Sequence, residues 1–124
     1  MWFEVTPTSY SAGVGVYGTE PGLMSVYRDA LKKKSEEFIR AAVSCENAGA
    51  KFYSTPYKRG FADCPTGLEE YYNSKDFCFI YGSGNLKDLE SDKIIDILRR
   101  IYKAYAPMYK FLLEISDDYF SKEE

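Results

Sequence analysis

The fold is decided by one stretch of the chain, Tyr10-Ser11-Ala12-Gly13-Val14-Gly15-Val16-Tyr17. Apolar residues alternate there with very small or polar ones, and a period of two predicts a β-strand. Because glycine weakens a strand, Gly13 and Gly15 indicate that something packs closely on their face. Residues Trp2 to Thr6 predict a second short strand. Pro7-Thr8-Ser9 predicts the turn that joins both strands into a hairpin.

The middle of the chain predicts helices. Thr19-Glu20-Pro21 is typical of a helix start, since a capping side chain precedes a proline in the first turn. Ser35 can cap a second helix, and a bend at Lys34-Ser35 or one continuous helix are the alternatives. Asn47 to Gly49 ends this region. The residues expected to face inward are Leu23, Met24, Tyr27, Ala30, Leu31, Phe38, Ile39 and Ala42.

Three shorter features follow. Lys51 to Phe61 is predicted to be irregular, with a short strand at Phe52-Tyr53. Pro65 to Tyr72 predicts a short helix. Phe77 to Tyr81 is the second strong strand, because it is an uninterrupted apolar run closed by Gly82-Ser83-Gly84.

The last element is a long amphipathic helix. Ser91 is its expected cap, and Asp92 and Asp96 suit its positive N-terminal end. Pro107 is expected to kink or split the helix, because it has no N–H and its ring clashes with the preceding turn. The acidic tail, residues 117–124, is expected to fray. The apolar stripe holds Ile94, Ile97, Leu98, Ile101, Tyr105, Met108, Leu112 and Ile115, widened by Ile95, Tyr102 and Tyr109.

Together these elements predict an α+β fold: a small antiparallel sheet with helices packed on one face and a long C-terminal helix kinked at a proline. The chain has 124 residues, which suits a single domain over 1–124.

Composition narrows the classes of function. The chain has no histidine and three widely spaced cysteines, so the usual metal patterns and histidine-based catalysis are not expected. We therefore expect no metal and no cofactor. A net charge of −3 makes nucleic-acid binding a poor hypothesis. The N-terminus lacks the pattern of a signal peptide and no apolar run could span a bilayer, so we expect a soluble, cytoplasmic protein with free thiols.

One segment stands out as a candidate site. Residues 51–61 interleave three basic and four aromatic side chains. Such a mixture can hold an anion or stack a base. It can equally be a loop that its aromatic residues pin to the core while Lys and Arg point to water. The candidate ligand-binding residues are Tyr53, Tyr57, Lys58 and Arg59, and we name no catalytic residue.

The order of several motifs resembles the C-terminal half of a family known as domain of unknown function 2461, over nearly the whole chain. The motifs are Gly13-Val14-Gly15-Val16-Tyr17, Glu20-Pro21, Lys58-Arg59 with Gly60-Phe61, Pro65, Lys75-Asp76-Phe77, Ala106-Pro107 and Phe111-Leu112. The resemblance implies a partner region, since family members are about twice as long and carry an Arg-Asp pair and a Lys-rich segment in an N-terminal half. It also implies prolines between Lys-Arg and Gly-Phe, whereas Arg59 directly precedes Gly60 here. It implies no particular activity.

The function predicted from these observations is a non-catalytic binding or structural domain, or a fragment of one. The alternative is an enzyme, or enzyme half, that acts on an anionic small molecule near Lys58 and Arg59. The expected partners are a second copy of the chain, the missing N-terminal half, or a small anionic ligand. The open edge of the first strand motivates the first two.

Overall fold

An antiparallel sheet forms one layer of the domain. The computed structural model describes residues 1–16 and 21–123, so the predicted helix start at Thr19-Glu20 lies outside the described residues. Within them the sheet has four strands in the order β1-β2-β4-β3. The strands are β1 (Trp2–Val5), β2 (Tyr10–Val16), β3 (Lys51–Pro56) and β4 (Ser74–Ser83). The predicted hairpin is confirmed, because β1 pairs antiparallel with β2.

The two faces of the sheet differ in what covers them. Ala12 and Val14 of β2 are buried beneath the helices, together with Phe77 and Phe79 of β4. Gly13 lies on the opposite face, where the ring of Trp2 covers it. A Cβ atom at position 13 would lie 2.2 Å from Trp2 Cζ2. The close packing expected of the glycine face is therefore confirmed.

Helices form the second layer. They are α1 (Pro21–Lys33), α2 (Ser35–Asn47), α3 (Glu69–Tyr72) and α4 (Lys93–Glu123), and a 3₁₀ turn covers Leu86–Glu90. The middle of the chain was predicted to form either one continuous helix or two helices with a bend at Lys34-Ser35. Two helices separated by Lys34 are observed. Phe38 and Ala42 face inward as predicted, but Ile39 is 44% exposed, so that prediction is wrong. Ala41 and Cys45 complete the buried stripe instead, because they share the face of Phe38.

The segment after α2 is more regular than predicted. Residues 51–56 form β3, which pairs with β4 along its length. The short strand predicted at Phe52-Tyr53 is therefore confirmed, and the irregular structure predicted for the rest of 51–56 was wrong. Alternation of Phe52 with exposed neighbours supplies the strand pattern, and the pairing shifts register between Thr55 and Pro56. Strand β4 is longer than predicted and continues through Gly82. The short helix is confined to α3.

The long C-terminal helix is observed. Ser91 caps it as predicted, since its Oγ accepts a hydrogen bond of 3.3 Å from Lys93 N. Of the two outcomes predicted at Pro107, the split does not occur, because α4 continues through this residue as one helix, and the kink stays a prediction. Pro107 is exposed, so water can satisfy the carbonyl that its missing N–H leaves unpaired. The described tail, residues 117–123, continues the helix, and its fraying in solution stays a prediction.

The centre of the core is aromatic. Phe38 of α2 packs edge-on against Phe77 of β4 and Phe111 of α4, with ring centroids 6.2 and 5.3 Å away. Ile101 and Tyr105 of α4 are fully buried over the sheet. Tyr27 of α1 joins this core, with its ring centroid 5.1 Å from that of Phe77, and so places α1 against β4.

Candidate anion-binding site

The candidate basic residues lie at the tip of a pinned loop that follows β3. Lys58 and Arg59 are both exposed there. Asn73 holds the two sides of the loop together: its carbonyl oxygen accepts from Tyr57 N at 2.9 Å, and its Oδ1 accepts from Phe61 N at 2.9 Å. The adjacent Lys-Arg pair is therefore presented on a fixed support.

Three aromatic rings form the support of this loop. The ring of Phe61 packs edge-on against Tyr57, with centroids 5.2 Å apart, and against Tyr72 at 5.8 Å. Tyr72 is buried in the core, whereas Tyr57 and Phe61 are half-buried. Tyr57 and Phe61 therefore present ring surface beside the Lys-Arg pair.

Arg28 of α1 adds a cation that the sequence analysis missed. Its guanidinium carbon lies 4.4 Å from the centroid of Phe61 and 5.8 Å from that of Tyr57. Its Nη1 atom is buried and donates no hydrogen bond to any described atom. The guanidinium therefore stacks on an aromatic ring while one of its donors is buried without a described partner, and burying an unpaired polar group costs free energy.

Lys75, at the start of β4, is a second cation beside the ring of Tyr57. Its Nζ lies 5.6 Å from the centroid of Tyr57. Tyr57 is thus in contact with cations from two elements, Arg28 and Lys75, and lies next to Lys58 in the chain. We name Arg28, Tyr57, Lys58, Arg59, Phe61 and Lys75 the cation–aromatic cluster.

An ion pair borders the cluster. Lys32, one turn after Arg28 on α1, donates to the carboxylate of Asp63. The hydrogen bond from Lys32 lowers the pKa of Asp63, and the hydrogen bond to Asp63 raises the pKa of Lys32. The negative charge of Asp63 is therefore matched by Lys32, which leaves the cluster with an excess of positive charge.

Tyr53 is the one predicted site residue that the structure does not bring to the cluster. Phe52 points into the core, where its ring lies 5.3 Å from that of Phe79. Strand alternation then directs Tyr53 to the opposite face of the sheet, and it is 52% exposed there.

The nearby cysteine is a poor nucleophile. Burial raises the pKa of the Cys64 thiol, and the carboxylates of Glu69 and Asp63 raise it further. The thiol donates to Pro65 O at 3.4 Å. The chemistry that the cluster offers is hydrogen-bond donation, positive charge and ring stacking.

Two further findings concern the described part of the chain. No group of three or more Cys, Asp or Glu side chains comes together there in a way that could hold a metal ion. Among the helices described, none has the length and apolar character needed to cross a membrane.

The described residues form an α+β fold with a basic, aromatic surface beside the end of β3. Residues 1–111 match a family described as "Conserved hypothetical protein (DUF2461)", and the chain belongs to that family. The resemblance predicted from the motif order is thereby confirmed at the level of the family. No curated protein and no solved structure matches the chain.

Proposed function

We propose that this chain is a non-catalytic binding domain that holds a small anionic ligand on the cation–aromatic cluster. The observation that carries the proposal is Arg28, whose guanidinium is stacked on Phe61 while its buried Nη1 lacks a partner. A phosphate or carboxylate oxygen would supply the missing acceptor once the half-buried Arg28 side chain turns toward the ligand.

The second support is the spread of charge around Tyr57. Arg28 and Lys75 both lie within 6 Å of its ring centroid, at 5.8 and 5.6 Å, so the two cations flank one small area. Arg provides a planar fork of donors and Lys a mobile point charge, which together suit an oxyanion. Apolar backing by Phe61 lowers the local dielectric and strengthens such contacts.

The third support is the pinned loop. Lys58 and Arg59 are exposed at its tip, and the hydrogen bonds to Asn73 fix its base. A ligand held by Arg28 and Lys75 would find the Lys-Arg pair on its solvent side. Pre-ordered donors cost less entropy on binding than donors on a free loop.

A thermal-shift screen tests this proposal. The probes are inorganic phosphate, pyrophosphate, nucleotides and dicarboxylates, applied to the wild type, to Arg28→Gln and to Lys58→Ala/Arg59→Ala. Binding stabilises the folded state by about 2.7 kcal/mol at a hundredfold excess over Kd. We expect at least one probe to stabilise the wild type and to lose most of that effect in both variants.

The matched control is Arg99→Ala/Lys103→Ala, which removes the same charges from exposed positions on α4. It should respond like the wild type. Equal stabilisation of all four proteins would show that the cluster is not the site, and no response to any probe would contradict anion binding. Conversion of a bound probe into a product would support the alternative hypothesis, an enzyme acting on an anion near Lys58 and Arg59.

We propose two further properties of the chain. Self-association through the edge of β1 is the expected macromolecular interaction, with a separately supplied N-terminal half as the other candidate occupant. A cytoplasmic location is proposed because none of the three cysteines forms a disulfide, and reduced thiols persist in reducing compartments.

A further inference from the structure

Strand β1 is an edge strand with an exposed apolar row. Phe3 is 39% and Val5 is 53% exposed, and the exposed Met1 continues their alternation. Phe3 pairs in register with Ala12, whose side chain is buried beneath the helices, so this row lies on the helix-bearing face of the sheet. Apolar residues on that face are normally covered.

The flank of α4 that faces β1 is apolar as well. Tyr102 lies on this flank, because its hydroxyl donates to Trp2 O at 3.3 Å. Ile95 and Tyr109 are one heptad before and after Tyr102, so they share its side of the helix. Leu113 and Phe120 extend this side, and all four flanking residues are exposed. Together with Phe3 and Val5 they form an open apolar corner beside an unpaired strand edge.

The outer edge of β1 presents backbone hydrogen-bonding groups that no other described strand pairs with, and their positions follow from the hairpin. Thr6 N donates to Ser9 O at 2.8 Å across the hairpin. Thr6 and Ser9 are therefore a hydrogen-bonded pair, and in an antiparallel ladder hydrogen-bonded and non-hydrogen-bonded pairs alternate. Two residues earlier, Glu4 points its backbone N–H and C=O at β2. Phe3 and Val5 point theirs at the open edge.

We propose that a second copy of the chain occupies this corner by pairing its β1 antiparallel to the first, with Phe3 opposite Phe3. This inference deepens the self-association proposed above and is independent of the anion site. It assigns the register. Met1 of each copy lies opposite Val5 of the other, and Trp2 lies opposite Glu4.

The sequence of β1 favours this register and a second copy as the occupant. Moving the centre of pairing to Glu4 would place two carboxylates directly opposite each other, which is destabilising. Pairing centred on Phe3 instead places Phe3 opposite Phe3 and Met1 opposite Val5, so apolar side chains meet on the helix-bearing face of the sheet. The strand is thus complementary to itself, as a twofold interface requires.

The geometry leaves space that the exposed side chains can fill. Helix α4 packs over β2, with Tyr105 hydrogen-bonded to Ala12 O. Three strand spacings would separate the two α4 helices, about 14 Å. Directly packed helices lie about 8–10 Å apart. The flanks carrying Ile95, Tyr102 and Tyr109, above the Phe3 and Val5 rows, would close this gap.

Light scattering after size exclusion, over a wide range of concentration, tests for the dimer. We expect the wild type to dimerise and Phe3→Glu to raise the dimer Kd at least about tenfold, since the substitution acts twice at the centre of the interface. Val43→Glu is the matched control, because Val43 is 45% exposed on α2, away from β1. It should leave Kd unchanged. Circular dichroism confirms that each variant is folded.

A disulfide test then examines the register. In a Cys64→Ser background, Phe3→Cys places two thiols on residues whose Cα atoms would be about 5.5 Å apart, within disulfide range. Glu4→Cys places them about 8 Å apart, outside it. Oxidation should cross-link the first variant and not the second.

Each result decides a different part of the proposal. A monomeric wild type, or a Phe3→Glu variant that dimerises like Val43→Glu, would overturn the interface. A dimer that cross-links through Glu4→Cys rather than Phe3→Cys would overturn the register alone. The anion screen is repeated on Phe3→Glu. Stabilisation by anions equal to that of the wild type would show that the dimer interface and the anion site are independent.

Discussion

Tyr105 fixes the long helix to the centre of the sheet, and its removal tests the architecture. The side chain is fully buried. Its hydroxyl donates to Ala12 O at 2.8 Å and accepts from Tyr81 N at 3.0 Å. Ala12 and Tyr81 are register partners, so this hydroxyl bridges β2 and β4. Tyr105→Phe keeps the ring and removes the bridge.

The expected cost follows from these two bonds. A hydrogen bond contributes about 0.5–1.5 kcal/mol net, so losing two costs about 1–3 kcal/mol. The buried N–H and C=O left behind place the expected value in the upper part of this range. Tyr109→Phe is the control, since Tyr109 is exposed on the same helix.

Urea unfolding followed by circular dichroism measures the effect. The midpoint of Tyr105→Phe should fall with an unchanged slope, and Tyr109→Phe should match the wild type within about 0.5 kcal/mol. Equal midpoints for Tyr105→Phe and the wild type would refute the role given to the hydroxyl bridge.

Three other predictions concern the core, the thiols and the tyrosines. Ile101→Ala should lower the free energy of unfolding by about 2–5 kcal/mol, because Ile101 is fully buried; an unchanged urea midpoint would remove it from the core. Thiol titration without reductant should find three reactive cysteines in denaturant, but only Cys64 reacting readily in the native protein, because Cys45 and Cys78 are buried; an intramolecular disulfide by mass spectrometry would contradict this. Burial raises the pKa of Tyr10 and of Tyr71 from 10.0 to about 12, so the folded state keeps protons that the unfolded state releases. Stability should therefore be full below about pH 10 and fall between about pH 10 and 12, and a flat profile of unfolding free energy over that interval would oppose it.

The sequence predicted the elements whose periodicity is strong. The alternation around Val14 and the stripe through Ile101 each have one dominant face, so the hairpin and α4 follow from them. The split that was one of the two alternatives at Pro107 does not occur, because the cost of a missing N–H depends on exposure, which a pattern does not show. The full length of strand β3 was not predicted, because β3 is an edge strand of the sheet with a mixture of polar and aromatic residues. Its extended conformation depends on hydrogen bonding to β4, which a local pattern does not show.

The candidate site was predicted only where its residues are adjacent in the chain. Tyr57, Lys58 and Arg59 are consecutive and were recognised. Arg28 and Lys75 join them through the packing of α1 and β4, which no local pattern reveals. One feature of the sequence pointed weakly to Arg28. It lies one helical turn before Lys32, so two basic side chains share one side of α1. Assignment of the chain to the C-terminal half of the family domain stays a prediction.

The most direct test of the central claim is a titration of the ¹⁵N-labelled protein with pyrophosphate, followed by NMR. The account predicts saturable shifts in the amides of Tyr57 to Phe61 and Lys75 and in the Nε–Hε signal of Arg28, all abolished in Arg28→Gln. It predicts no comparable shifts at Arg99 or Lys103, which are equally basic and exposed on α4. Saturable shifts confined to residues outside the cation–aromatic cluster, or shifts at the cluster that persist in Arg28→Gln, would contradict it.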